Sequence, residues 1–278
     1  MKKITLFALM LTLSGSLVNV SCNRDKEDLE EIFQSAEDQA LLDGEFSNIH
    51  DNVDNQAQDK PGFGKVNISI LPACASVYTD ISSNPKVLEI TFSDSSSSSG
   101  CLCSDGNYRK GKIRAEFTGA YRTQGSTLVI TLLNYYVNDV QYTGTRTVTN
   151  LGNASGHFKY SYVVTGASAI TSTGTITWSS QGEIDRIEGD ATLNPFDDVY
   201  LITGSANGVS RRGKNFSVNI TKALKKKIGC PRIVSGKTTI TNSNGNSMEL
   251  DFDPIGNEPC DKIARITYKN RTKTITLR

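Results

Sequence analysis

From Lys65 to the C-terminus the apolar and polar positions alternate in short runs. Met248-Glu-Leu-Asp-Phe252, Phe216-Ser-Val-Asn-Ile220, Phe158-Lys-Tyr-Ser-Tyr162 and Ile275-Thr-Leu277 each place every second side chain on one apolar face. A period of two marks half-buried antiparallel strands, with one face on a core and the other in water. The inward set read this way is Phe158, Tyr160, Trp178, Phe216, Val218, Leu250, Phe252, Ile266 and Tyr268. Leu128 to Val137 is apolar on both faces, which predicts a central strand covered on both sides. Asn207-Gly208, Asn244-Gly245 and Arg212-Gly213 read as hairpin turns. Asp94 to Gly100 is a low-complexity loop with no assigned structure.

A small-residue step recurs through the strand region: Thr118-Gly119, Thr143-Gly144, Thr173-Gly174, Thr203-Gly204 and Ser235-Gly236. Glycine inside a strand weakens it and marks a bulge, a bend or a close approach. Repeated at one level of successive hairpins, it bends the sheet along a line. The expected fold class is therefore all-β: a curved antiparallel meander of long hairpins, either a sandwich or an open half-barrel, with at least eight strands. Residues 65–278 suffice for one such domain, or for two stacked sheets with a seam near Gly152 to Gly156.

Upstream the period changes. Leu29, Ile32, Phe33, Ala36, Ala40 and Leu41, continued by Phe46, Ile49 and Val53, recur every three or four residues among charges, which predicts a helix. Such a stripe docks on its own domain, on a partner helix or on a membrane surface; His50, near its end, reads as a surface residue. Asn55 to Gly64 is polar with Pro and Gly and reads as a linker. Before the helix, Lys2 and Lys3, an apolar run from Ile4 to Leu17 and the approach Asn19-Val20-Ser21 lead to Cys22. That pattern is a signal peptide, too short for the ~20 residues of a bilayer span. The chain thus divides into a signal peptide (1–21), an anchor with acidic helix and linker (22–64), and an all-β body (65–278).

Charge is divided unevenly. Residues 23–60 hold three basic and twelve acidic side chains, a net of −9, and residues 61–278 carry +8. The asymmetry has two readings: an affinity for anionic glycan or lipopolysaccharide, or an acidic stalk and basic body that are solvated or attract each other. Lys222 to Lys227 is the one dense basic run, and Lys225, Lys226 and Lys227 are the candidate ligand-binding residues. Nothing in the sequence suggests a nucleic-acid partner.

Besides Cys22 there are Cys74, Cys101, Cys103, Cys230 and Cys260, an odd number in an export pathway where disulfides persist. Cys230 and Cys260 flank the last hairpins and are paired here; Cys74 then takes Cys101 or Cys103. A metal reading of Cys101-Leu-Cys103 lacks further ligands, since His157 is the body's one histidine. No Ser-His-Asp or Cys-His grouping is visible, and Gly236-Lys237-Thr238 lacks the rest of a phosphate loop. Two acidic sets, Asp185/Glu188/Asp190 and Glu249/Asp251/Asp253, are the candidates for a carboxylate pair; the second alternates with Met248, Leu250 and Phe252 and reads as the wet face of a strand. Asp105-Gly106-Asn107 reads as a turn, and Trp178 as core. No cofactor or catalytic residue is expected.

The end of the signal segment resembles the acylation site of bacterial lipoproteins, in which the new N-terminal cysteine carries the lipid, although Asn19 departs from the usual leucine. The acidic run Asp25-Lys26-Glu27-Asp28 resembles signals that send Bacteroidota lipoproteins outward. Together with Ser104-Asp-Gly-Asn-Tyr-Arg-Lys-Gly-Lys-Ile113, Asn134-Tyr-Tyr-Val-Asn138, Cys260-Asp-Lys-Ile-Ala264 and Thr272-Lys-Thr-Ile-Thr-Leu-Arg278, these features resemble an uncharacterised, flavobacterial-type family of Bacteroidota outer-membrane lipoproteins. The resemblance implies an address, a lipid-anchored outer-membrane protein facing outward, and no activity. The function expected is non-enzymatic binding or scaffolding. The alternatives are a lipid or lipoprotein acceptor with an open groove, and a carboxylate-dependent glycan hydrolase.

Overall fold

The computed structural model describes residues 18–59, 69–93, 99–154, 156–189, 191–192 and 194–277, with helix side chains from 29 to 57. The signal segment up to Leu17, the second half of the linker, most of the Asp94–Gly100 loop and Asp190 lie outside them. Helix α1 (Val18–Asp59) is followed by β1 (Ala75–Asp80), β2 (Lys86–Phe92), β3 (Cys101–Leu102), β4 (Tyr108–Phe117), β5 (Thr127–Val137), β6 (Val140–Gly152) and β7 (Lys159–Thr171). Then come β8 (Gly174–Glu188), β9 (Val199–Val209), β10 (Asn215–Lys227), β11 (Ile233–Asn242), β12 (Ser247–Asp251), β13 (Ile263–Tyr268) and β14 (Arg271–Thr276). All belong to one antiparallel sheet in chain order, β3 pairing β4 beside the main path, with β1 and β14 as open edges. The meander is an open sheet; β6 and β7 stay paired up to Gly152 and Lys159, with a register shift after Asn150, and all strands join one sheet, so the two-sheet alternative does not apply.

A crease crosses eight strands. The register breaks between Lys110 and Lys112, between Thr131 and Tyr135, between Thr143 and Thr145, and between Val164 and Ala167. It continues through the directly paired Gly182 and Gly204 to breaks at Asn219/Leu224 and Lys222/Lys225, beside Gly236. Gly144, at φ +128°, brings its backbone so close to β7 that a Cβ there would stand 2.7 Å from Ala167 Cα. Of the repeated small-residue steps, Gly144, Gly204 and Gly236 fall on this line, Gly119 lies in the β4–β5 turn, and Gly174 opens β8.

The bent sheet wraps its own N-terminal helix. From Ser35 to Ala57 nearly every position of α1 is buried, the polar ones included; Glu37, Leu41, Asp43, Gly44 and Asn52 alone are partly exposed. Its apolar stripe, with Leu42 fully buried beside the expected residues, joins Trp178, Ile240, Leu250 and Ile266 in one core. Burying Ile32, Phe33, Leu42, Phe46, Ile49 and Val53 stabilises by ~1.5–3 kcal/mol each, an upper bound near ~9–18 kcal/mol. That rivals the ~5–15 kcal/mol net stability of a domain. The helix is core, not stalk.

Four expectations change here. His50 is buried at 6% exposure because it lies on the sheet-covered side of the helix, opposite the stripe of Glu37, Leu41, Gly44 and Asn52 that stays partly exposed. The helix runs on to Asp59, through the first residues assigned to the linker. On β5 one face is buried, while Leu133 on the other is 43% exposed, since no described element covers the convex side there. Asn207-Gly208 lies inside β9, and the turn is made by Ser210 to Gly213, because pairing with β8 and β10 on both sides outweighs the local turn preference. Eight of the nine inward residues are buried; Phe158, near the β6–β7 turn, is partly buried under Arg122.

Candidate functional site

The charges concealed in the composition meet inside the sheet. Arg109 on β4, 3% exposed, donates to both carboxylate oxygens of Glu45 on α1 (3.3 and 3.0 Å) and both of Asp105 (3.0 and 2.8 Å). Tyr135 on β5 donates to Glu45 at 2.6 Å. Lys226 on β10 reaches Asp51 at 3.2 Å and Asn48 Oδ1 at 3.0 Å. Arg211, in the β9–β10 turn, holds Asp38 through Nε (2.6 Å) and its backbone N–H (2.8 Å). Arg146 on β6 donates to the Phe46 carbonyl at 3.1 Å and lies over the Tyr162 ring. Deeper in, Asp54 accepts from Tyr121 and Tyr200, and Asp198 binds Arg186 at 2.6 Å. Burial of separate charges is costly, and these pairs offset it only because each carboxylate gains charged or hydroxyl donors.

Electrostatics follow from that packing. Burial, then Asp54, pushes the Tyr121 and Tyr200 hydroxyls well above the usual phenol range, so both act as donors; burial and Glu45 do the same to Tyr135. Burial raises Asp51, and Lys226 only partly offsets it. Asp105 is penalised most by burial, but the hydrogen bonds and charge of Arg109 together with the Asn107 hydrogen bonds outweigh it, and its carboxyl is lowered. Burial and Arg146 push His50 down to about 3, so the imidazole is neutral.

One cleft opens onto this network. It encloses about 340 Å³ beside the C-terminal half of α1, lined by Asn48, Asp51, Cys103, Asp105 and Arg109, with Phe196 and Cys230 among the other walls. Its chemistry is subdued. Burial raises the Cys103 thiol, outweighing Arg109, and the acids already hold cations. No histidine lines it. Among the described residues no group of three or more His, Cys, Asp or Glu side chains could hold a metal.

The other sequence candidates separate. Cys74 bonds Cys101 and Cys230 bonds Cys260; Cys103 is free. Lys225, Lys226 and Lys227 do not form one exposed patch: alternation turns Lys226 into the core, while Lys225 and Lys227 share Glu258 at 2.8 and 3.1 Å. Glu249 and Asp251 stand on the outer face clamped by Lys237, and Asp185 pairs with Lys159. Trp178 is core, its Nε1 donating to Gln39 at 2.9 Å. Asp105-Gly106-Asn107 is a turn, and Gly236-Lys237-Thr238 is strand. The lining residues of α1 went unread because Asn48, Asp51 and Asn52 look like a wet helix face; the single available signal was the −9 against +8 charge division. Comparison with protein-family models, with curated proteins and with solved structures finds no match for this chain.

Proposed function

We propose that this chain is a non-enzymatic, lipid-anchored envelope protein of a Bacteroidota-type outer membrane, facing outward, that binds or scaffolds. The observation that carries the reading is α1: the helix that runs through Cys22 is the filling of the sheet. At 1.5 Å per residue, a lipid on Cys22 would sit about 15 Å from Ile32, the first buried residue among the described helix side chains. A body so mounted is held close and in one orientation at the membrane, which suits a fixed binding or scaffolding module. Metabolic labelling with an acyl precursor is expected to mark the wild type and not Cys22→Ala, and equal labelling overturns the anchor. Protease access on intact cells reads outward exposure separately.

The two alternatives have less support. A lipid acceptor would use the concave face, which α1 fills. A hydrolase would use two carboxylates facing an open cleft, and the acids at this cleft are committed to Arg109 and Lys226. Anionic glycan or lipopolysaccharide is a partner class to test by salt-sensitive retention, although Lys225, Lys226 and Lys227 offer it little.

A further inference from the structure

Three turns form one rim at the end of the sheet beside the first half of α1. The β9–β10 turn meets the β11–β12 turn through Ser243 N–H to the Asn215 carbonyl (3.0 Å), and Tyr268 before the β13–β14 turn donates to Asn246 (2.9 Å). The rim carries Arg211, Arg212, Lys214, Lys269, Arg271 and Lys273, and no acid occurs in residues 209–217, 242–247 or 267–275. Helix acids neutralise half of it: Asp38 holds Arg211, Glu31 meets Lys214 at 3.5 Å, and Lys273 spans Glu37 at 2.7 Å and Glu30 at 3.9 Å. Arg212, Lys269 and Arg271 are exposed and have no ion pair among the described residues; Lys269 lies over the Tyr268 ring.

Position gives this surplus a direction. Glu31, which meets Lys214, is nine helical residues beyond Cys22, a rise of about 14 Å. A rim that close to an anchoring lipid lies within about two Debye lengths of the headgroups at physiological salt. One lipid anchor gains from a basic patch beside it, because the two signals act on the same surface. Counting Glu30, the second acid on Lys273, the acids of residues 24–30 exceed their cations by two, which still leaves the three unpaired charges in surplus.

We infer that Arg212, Lys269 and Arg271 form a docking surface for the anionic phosphate headgroups of the bilayer that holds the N-terminus. The inference rests on the lipid-anchor reading and specifies which face of the body meets the membrane.

The test uses the full mature chain with Cys22→Ser, so that no acyl chain masks the contact, and vesicles of phosphatidylcholine with or without phosphatidylglycerol. Binding is expected only with phosphatidylglycerol and is lost near 1 M salt, where the Debye length falls to ~3 Å. Replacing all three cations (R212Q, K269Q, R271Q) is expected to weaken partitioning on the order of 100-fold. The same charge change elsewhere, in K222Q, K262Q and R265Q, should leave it nearly intact, with circular dichroism confirming both folds. Equal loss in the two triple variants overturns the docking surface, as does no preference for phosphatidylglycerol. Retention on a soluble acidic polysaccharide without vesicle binding overturns it in favour of a glycan. Acyl labelling at Cys22 is independent: labelled protein that ignores the vesicles keeps the anchor and discards the rim.

Discussion

Arg109 and Glu45, sixty-four residues apart in sequence, form an ion pair at 3.0 Å with both side chains almost wholly out of water. The contact joins α1 to the first half of the sheet, with Asp105 on the other side of the guanidinium. Removing one member of a buried pair leaves the remaining charge uncompensated, at a cost of ~3–5 kcal/mol. Arg109→Met strands two carboxylates and is expected to destabilise by at least that much at neutral pH. Urea unfolding checks this; a loss under ~1 kcal/mol would mean that the pair is not buried in solution.

How much of this was legible in the sequence varies with the residue. Trp178, Phe216 and Leu250 announce their inward face by strict alternation, and Gly144, Gly204 and Gly236 announce a bend by recurring. Glu45, Asp51 and His50 do not announce their burial, because a polar helix face surrounded by sheet reads the same as one surrounded by water. Arg109 and Lys226, which pair with Glu45 and Asp51, and Arg146, whose charge disfavours a protonated His50, are scattered over β4, β10 and β6, so no local window holds both members of an interaction. Lys226 was misread for the same reason: a basic run on an alternating strand sends its middle member inward. The small-residue pair Asn207-Gly208 misled because glycine also serves where backbones approach, here with the Phe216 ring against it.

The crease predicts unequal glycine substitutions. Gly144→Ala forces a Cβ against Ala167 at positive φ and is expected to cost ~1–3 kcal/mol. Gly245→Ala, at φ +77° with open space around it, should cost only the left-handed conformer, ~1 kcal/mol. Thermal unfolding of the two variants measures the difference, and equal losses would remove the close approach as the explanation.

Acid should act on the helix through His50. Its folded pKa of about 3 lies below the ordinary 6.5, so between those values the unfolded chain binds a proton that the folded one refuses. This contribution is complete above pH 6.5 and is lost as pH falls toward 3. Asp43, raised to about 7, and Asp198, raised to about 6, work the other way: removal of their carboxylates from water lets the folded chain hold a proton below those values that the unfolded chain releases, and their contribution fades as pH rises through them. Comparing wild type with His50→Gln isolates the imidazole. Between pH 7.5 and 4.5 the variant should gain ~2–3 kcal/mol relative to wild type; parallel curves would contradict a buried, neutral His50.

Thiol counting tests the covalent frame together with the anchor. With Cys74–Cys101 and Cys230–Cys260 bridged, the acylated protein should give one thiol, Cys103, reacting slowly while folded and rapidly in denaturant. Two thiols would show that Cys22 carries no thioether-linked lipid.

Hydrogen exchange across Ser35 to Ala57 tests most directly whether α1 is the core of the sheet. Those amides are expected to exchange as slowly as the central strands β6 to β9, opening only with global unfolding, because the surrounding sheet must come apart before the helix meets water. Exchange of these amides well ahead of β6 to β9, with the strands still protected, would make the helix a separable stalk and contradict the account.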